Sequence, residues 1–100
     1  MKLEIKRLDK DVTFPMPSPS RAGDAGIDLI AANGGMVSPG DHAIVGCGFA
    51  IAIPEGYVGL VCPRSGLSAK YHISVGNAPG IIDSIYRGEM KVILEHRGHK

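Results

Sequence analysis

The sequence has no tryptophan and only 5% aromatic residues, so the large rings that dominate many cores and interfaces contribute little to its packing. Cysteine is scarce as well: Cys47 and Cys62 are the only two, in neither a C-x-x-C pair nor a histidine cluster, which disfavours a disulfide or a metal site. Each lies in an apolar stretch, and both are expected to be buried free thiols, because free Cys packs as a small hydrophobe. An excess of one charge is also missing. Eleven Lys and Arg stand against ten Asp and Glu, for a net charge of +1. That excludes general attraction to nucleic acid or an acidic membrane, so a bound anion must be held by a few placed groups. No apolar run approaches the roughly 20 residues that cross a bilayer, and residues 1–10 lack the apolar core of a secretion signal. The expectation is one soluble domain over residues 1–100, in a reducing cytoplasm, small enough to favour oligomerisation.

What the sequence does have is punctuation. Asn33-Gly34-Gly35, Pro39-Gly40-Asp41, Pro54-Glu55-Gly56 and Ala78-Pro79-Gly80 are turn signals at intervals that predict an all-β fold of sandwich or jelly-roll type. The clearest strand spans 43–53, with Val45, Cys47, Phe49, Ile51 and Ile53 on one face and Gly46, Gly48, Ala50 and Ala52 on the other. The small face would let a second layer approach, so this strand is expected to be covered on both sides. Residues 57–62 and 89–95 read as further strands, and 65–72 as the only helix, of two turns at most. Residues 14–20, rich in Pro and Ser, read as an extended lead-in.

Polar chemistry concentrates in three segments at predicted strand ends. In Arg21-Ala22-Gly23-Asp24-Ala25-Gly26-Ile27-Asp28-Leu29, two carboxylates lie four apart and apolar neighbours place Asp28 at a strand start; taken alone, it reads as a solvated turn or as a site. Pro63-Arg64-Ser65-Gly66-Leu67-Ser68 joins a strand to the helix start. Backbone N–H groups, a hydroxyl and a guanidinium there suit phosphate oxygens, and the plain alternative is an N-cap by Ser65. Gly76-Asn77-Ala78-Pro79-Gly80-Ile81-Ile82-Asp83-Ser84-Ile85-Tyr86-Arg87-Gly88-Glu89 reads as a hairpin that presents an amide, a carboxylate and a ring. Asn77 offers the donors and acceptor that read a carbonyl beside an imide N–H, and Tyr86 offers a flat face for a sugar or base. Asp83 is open between a turn cap and a catalytic carboxylate. His96 and His99, three apart near the end, read as a solvated tail rather than a metal pair.

In this order, AGDAGIDL, PRSGL and GNAPGIIDSIYRGE resemble the first three motifs of the trimeric deoxyuridine triphosphatases (dUTPases), over residues 1–95. The resemblance implies a distorted β jelly roll, a homotrimer whose active sites are shared between subunits, and Mg²⁺-dependent hydrolysis of dUTP to dUMP and pyrophosphate. It implies Asp83 as the general base, Asn77 with the backbone around Gly80 and Ile81 as the uracil reader, and Tyr86 as the ring that excludes a 2′-hydroxyl. Arg64, Ser65 and Gly66 become the phosphate cradle, and Asp28 an outer-shell carboxylate that holds the ion through water.

Two departures from the family pattern carry their own expectations. The family's fourth and fifth motifs, a phosphate-binding Gln and a Gly-rich closing arm, do not follow His96-Arg97-Gly98-His99-Lys100, so a truncated domain lacking its final strands and weakened in turnover is expected. Ile85 replaces a residue that is often polar, and altered packing is expected there. The alternative to a working hydrolase is a deoxyuridine-nucleotide-binding or regulatory module. A dCTP deaminase, a family similar in fold, is disfavoured, because Gly66 follows Ser65 where that family uses a consecutive-serine phosphate loop, and because the third segment carries Asp83 with Tyr86 rather than a catalytic Glu.

Overall fold

The computed structural model describes residues 3–8 and 23–98. The expected lead-in at 14–20, together with Arg21, Ala22 and His99, lies outside them. The described elements are β1 (Glu4–Arg7), β2 (His42–Gly46), β3 (Phe49–Ala52), β4 (Gly59–Val61), α1 (Ser65–Tyr71), β5 (Ile73–Val75), β6 (Gly80–Ile82) and β7 (Lys91–His96). The fold is all-β with one short helix, as the turn spacing predicts. Its strands form three small antiparallel sheets, β1–β3, β2–β7–β5 and β4–β6.

The predicted strand at 43–53 is two strands. β2 pairs with β7, whereas β3 pairs with β1. Between them Gly48 takes a left-handed backbone angle of φ 76°, which a side chain would disfavour. Met90 bridges the break: Cys47 N–H donates to its carbonyl at 2.9 Å, and its own N–H donates to the Phe49 carbonyl at 2.8 Å. The chain thus changes sheets at Cys47-Gly48 with Met90 bonded to the backbone on both sides of the break. The face assignment holds through the break. Cys47, Phe49 and Ile53 are buried and Val45 and Ile51 half-buried, while Ala50 and Gly48 are buried on the small face, as two-sided cover requires.

Cys47, Phe49 and Met90 form the core cluster, with Ile5, Leu29, Ile51, Val61, Ile82 and Val92 packed against it. Every sheet therefore contributes to one apolar centre. Cys62 does not, which corrects the expectation of two buried thiols: Cys47 is buried and Cys62 exposed. Along β4, Val61 faces the core and Leu60 faces solvent, and one residue further the alternation turns Cys62 outward.

The predicted helix at 65–72 is α1, one residue shorter. His72 ends it in the left-handed conformation (φ 59°, ψ 29°), with its N–H bonded back to the carbonyls of Leu67 and Ser68, a common helix stop. None of the residues of α1 is buried. Its tie to the sheet is the Ser68 hydroxyl, which donates to the Ile73 carbonyl at 2.8 Å. Among the described residues, no helix is long and apolar enough to cross a membrane.

Candidate functional site

The register of β4 against β6 brings two of the three polar segments together. Val61 pairs with Gly80 and Gly59 with Ile82, so Pro63-Arg64-Ser65-Gly66 leaves one end of the ribbon where Asn77 and the cis Ala78–Pro79 peptide enter it. Asp83 follows Ile82 at the opposite end. The segment from Gly76 is therefore not one hairpin, as its turn signals suggested. β5 pairs with β7 and β6 with β4, so the chain crosses between sheets at 76–79 and returns at 83–90. Strand partners are a tertiary choice that local turn chemistry does not encode.

The first segment meets the second. Ile27 and Leu29 turn inward and Asp28 outward, which places Asp28 Oδ1 3.6 Å from Arg64 Nε, both side chains well exposed. The expectation that Asp28 starts a strand is corrected, since no strand is assigned at 23–41. Ser65 does not cap α1. The N-cap is Arg64, without a side-chain cap bond, and the first helical bond runs from Ser68 N–H to the Arg64 carbonyl at 3.1 Å. The N–H groups of Ser65, Gly66 and Leu67 precede that bond, in the region where helices leave donors open to an acceptor. A guanidinium, a hydroxyl and open N–H groups in consecutive residues can hold phosphate oxygens.

The third segment presents its groups on two turns. At the first, Ala78 N–H donates to the Val75 carbonyl at 3.1 Å, and the exposed Asn77 leans over Gly80. A Cβ on Gly80 would stand 3.3 Å from Asn77 Nδ2 and 3.4 Å from Val61 Cβ. At the second, Tyr86 N–H donates to the Asp83 carbonyl at 3.1 Å, and Arg87 Nη1 donates to the carbonyls of Ser84 at 2.6 Å and Tyr86 at 3.0 Å. The Tyr86 hydroxyl donates to the Glu89 carbonyl at 2.7 Å. Tyr86 is thus anchored at its backbone N–H and at its hydroxyl, and the residue as a whole is 40% exposed. Ile85 is 85% exposed and projects from the turn. Ile81 is also exposed, opposite Leu60.

Gly88 and Glu89 are the residues to which sequence reasoning gave no role. Glu89 Oε2 accepts the N–H of Gly48 at 3.0 Å. The available signal was a glycine and a carboxylate directly before the inward-facing Met90, at the mouth of a strand. Burial pushes the Cys47 thiol above its ordinary value, and the nearby charge of Glu89 adds to the shift. Among the described residues, no group of three or more His, Cys, Asp or Glu side chains could hold a metal ion. A cage built wholly from protein is thus not available there, whereas one exposed carboxylate beside a phosphate-type loop suits Mg²⁺, which keeps its water and shares itself with phosphates.

The structure is a small all-β protein with a guanidinium, an amide, a carboxylate and a ring exposed on its rim. The dUTPase family model matches residues 13–100, and the chain belongs to that family. The deoxyuridine 5′-triphosphate nucleotidohydrolase of Corynebacterium glutamicum is 53% identical over 92 residues, which cover 92% of this chain and 60% of that protein. That of Rhodococcus erythropolis is 49% identical over 94 residues, covering 94% and 56%. The dUTPase of Staphylococcus bacteriophage 80alpha superposes with a TM-score of 0.86 at 34% identity, over 97% of this chain and 60% of that one. A mutant dUTPase of the S. aureus phage phi11, described with a structural Mg(II) ion, gives 0.87 at 32% identity, over 97% and 61%. The chain thus spans 60% and 56% of the length of these two curated relatives.

Proposed function

We propose that this chain hydrolyses dUTP to dUMP and pyrophosphate, with Asn77 and the backbone of Gly80 and Ile81 reading uracil, Tyr86 reading the deoxyribose, and Asp83 activating the attacking water. The observation that carries the reading is the second turn, where the Tyr86 N–H to Asp83 carbonyl bond ties a restrained aromatic face to an exposed carboxylate within four residues. Asp83 accepts the proton of a water whose oxygen forms the new bond to the α-phosphorus, and the bond to the bridging oxygen breaks to release pyrophosphate. A positioned base of this kind supplies about 10²- to 10⁴-fold. Arg64, Ser65 and Gly66 hold the phosphate oxygens that carry the leaving group's charge, and Asp28 orients water around Mg²⁺. The ion, when bound, neutralises charge on the triphosphate.

We further propose a homotrimer whose sites are shared between subunits. Arg64, Ser65, Gly66, Asn77 and Asp83 are all exposed, which leaves them available to a ligand held between chains. The two free thiols fit a reducing, cytoplasmic location. Calorimetric titration with dUMP, dTMP, dCMP and UMP tests the recognition half of the proposal. The expected order places dUMP at least tenfold ahead of the others, the discrimination that unpaired polar groups and a steric block supply. Equal affinity for all four would remove the assigned roles of Asn77 and Tyr86.

A further inference from the structure

Tyr86 is restrained by more than its own turn. Its hydroxyl bond ends on the backbone carbonyl of Glu89, so the height of the ring depends on where that carbonyl sits. Gly88 closes the space beneath. A Cβ there would lie 2.7 Å from the Tyr86 hydroxyl oxygen and 2.9 Å from Cζ, so the ring rests directly on the backbone of Gly88.

Glu89 is fixed from the opposite side. Its Oε2 accepts the Gly48 N–H at 3.0 Å, and the same carboxylate fills the space beside Gly46, where any side chain would overlap it. The next residue is tied to the same corner by the two Met90 backbone bonds to Cys47 and Phe49, at 2.9 and 2.8 Å. A carboxylate thus occupies the corner where the chain changes sheets, and the backbone of the same residue holds the ring. The charge it brings to Cys47 agrees with that placement.

We propose that Glu89 is a positioning residue for sugar discrimination: its carboxylate, seated in the Gly46–Gly48 corner, sets the carbonyl that holds the Tyr86 hydroxyl and so fixes how closely the ring meets the 2′ position. The inference rests on the reading of Tyr86 as the sugar-facing ring. If the anchor is lost, the turn keeps its own bonds at Asp83, Ser84 and Tyr86, and Asn77 stands on a different turn. Base recognition should therefore survive while the ring loses its fixed height. Gln at 89 keeps an oxygen that accepts the Gly48 N–H, so Glu89→Gln should preserve discrimination where Glu89→Ala does not.

The experiment titrates dUMP and UMP, in Mg²⁺ buffer, into the full chain carrying Glu89→Ala, Glu89→Gln, Gly46→Ala or Tyr86→Phe, with thermal melting of each. Gly46→Ala crowds the carboxylate from the corner side, and Tyr86→Phe removes only the hydroxyl, so a variant that fails to fold does not remove the test. In Glu89→Ala, Gly46→Ala and Tyr86→Phe, the preference for dUMP over UMP should fall about tenfold. dUMP affinity should change far less, and Glu89→Gln should keep the ratio. A wild-type preference that Glu89→Ala and Tyr86→Phe leave unchanged would overturn the inference alone, as would a parallel loss of both nucleotides, which marks a merely structural residue. No preference in the wild-type chain would overturn the sugar-reading role of Tyr86, and this inference with it.

Discussion

Asp83 stands exposed just past β6, and the bond that shapes its turn uses its backbone carbonyl, not its carboxylate. Asp83→Asn should therefore leave the fold within about 0.5 kcal/mol of wild type, as exposed substitutions usually do. It should lower pyrophosphate release by about 10²- to 10⁴-fold while dUMP binding persists. Equal loss of binding and release, with a shifted urea midpoint, would make the carboxylate structural. The two thiols give an independent check at the same scale. Cys62 should react with a thiol reagent in the native state, whereas Cys47, 2% exposed, should react only on unfolding. Burial holds the Cys47 thiol above its ordinary value of 9.0. Its neutral form therefore favours folding fully below pH 9, and the contribution is lost as pH rises through the higher folded value. Melting between pH 8 and pH 10.5 should fall more steeply in wild type than in Cys47→Ala; parallel curves would show that Cys47 carries no such linkage.

At the scale of elements, the Gly48 corner decides the architecture, because β2 and β3 join different sheets on either side of it. Gly48→Ala should cost about 1–2 kcal/mol for its left-handed backbone alone, read as a lower urea midpoint, and an unchanged midpoint would contradict the corner's importance. This corner also shows what the sequence could and could not convey. Alternation through 43–53 assigned Cys47, Phe49 and Ile53 to the buried face, since that depends only on period two. It could not reveal the break, because a glycine reads alike in a strand and in a left-handed bend. α1 was legible to within a residue, being bounded by Pro63 and by the end of the helical pattern. The exchange of partners by β5 and β6 was not, nor was the Asp28 to Arg64 pairing, because both depend on contacts distant in sequence. The three polar segments were visible as clusters of Gly with charged and amide residues. The support of Tyr86 by Glu89 was hidden, since it runs through a backbone carbonyl.

For the whole molecule, the buried apolar set among the described residues is small. Cys47, Phe49, Ala50, Ile53, Val75 and Met90 are buried, whereas Met36, Ile44, Leu60 and Ile81 are more than half exposed. A core of that size supports a marginal fold that association would strengthen, in keeping with the proposed trimer and its shared sites. Melting temperature should accordingly rise with protein concentration, and a melting temperature independent of concentration would point to a self-sufficient monomer. Enzymatic selectivity and assembly belong to one claim and are best measured together, as pyrophosphate release from dUTP, dTTP, dCTP and UTP in Mg²⁺ on a sample whose mass is determined in the same buffer. The predicted result is release from dUTP alone by a species of trimer mass; comparable release from UTP or dTTP, or none from a trimer saturated with dUTP, would contradict it.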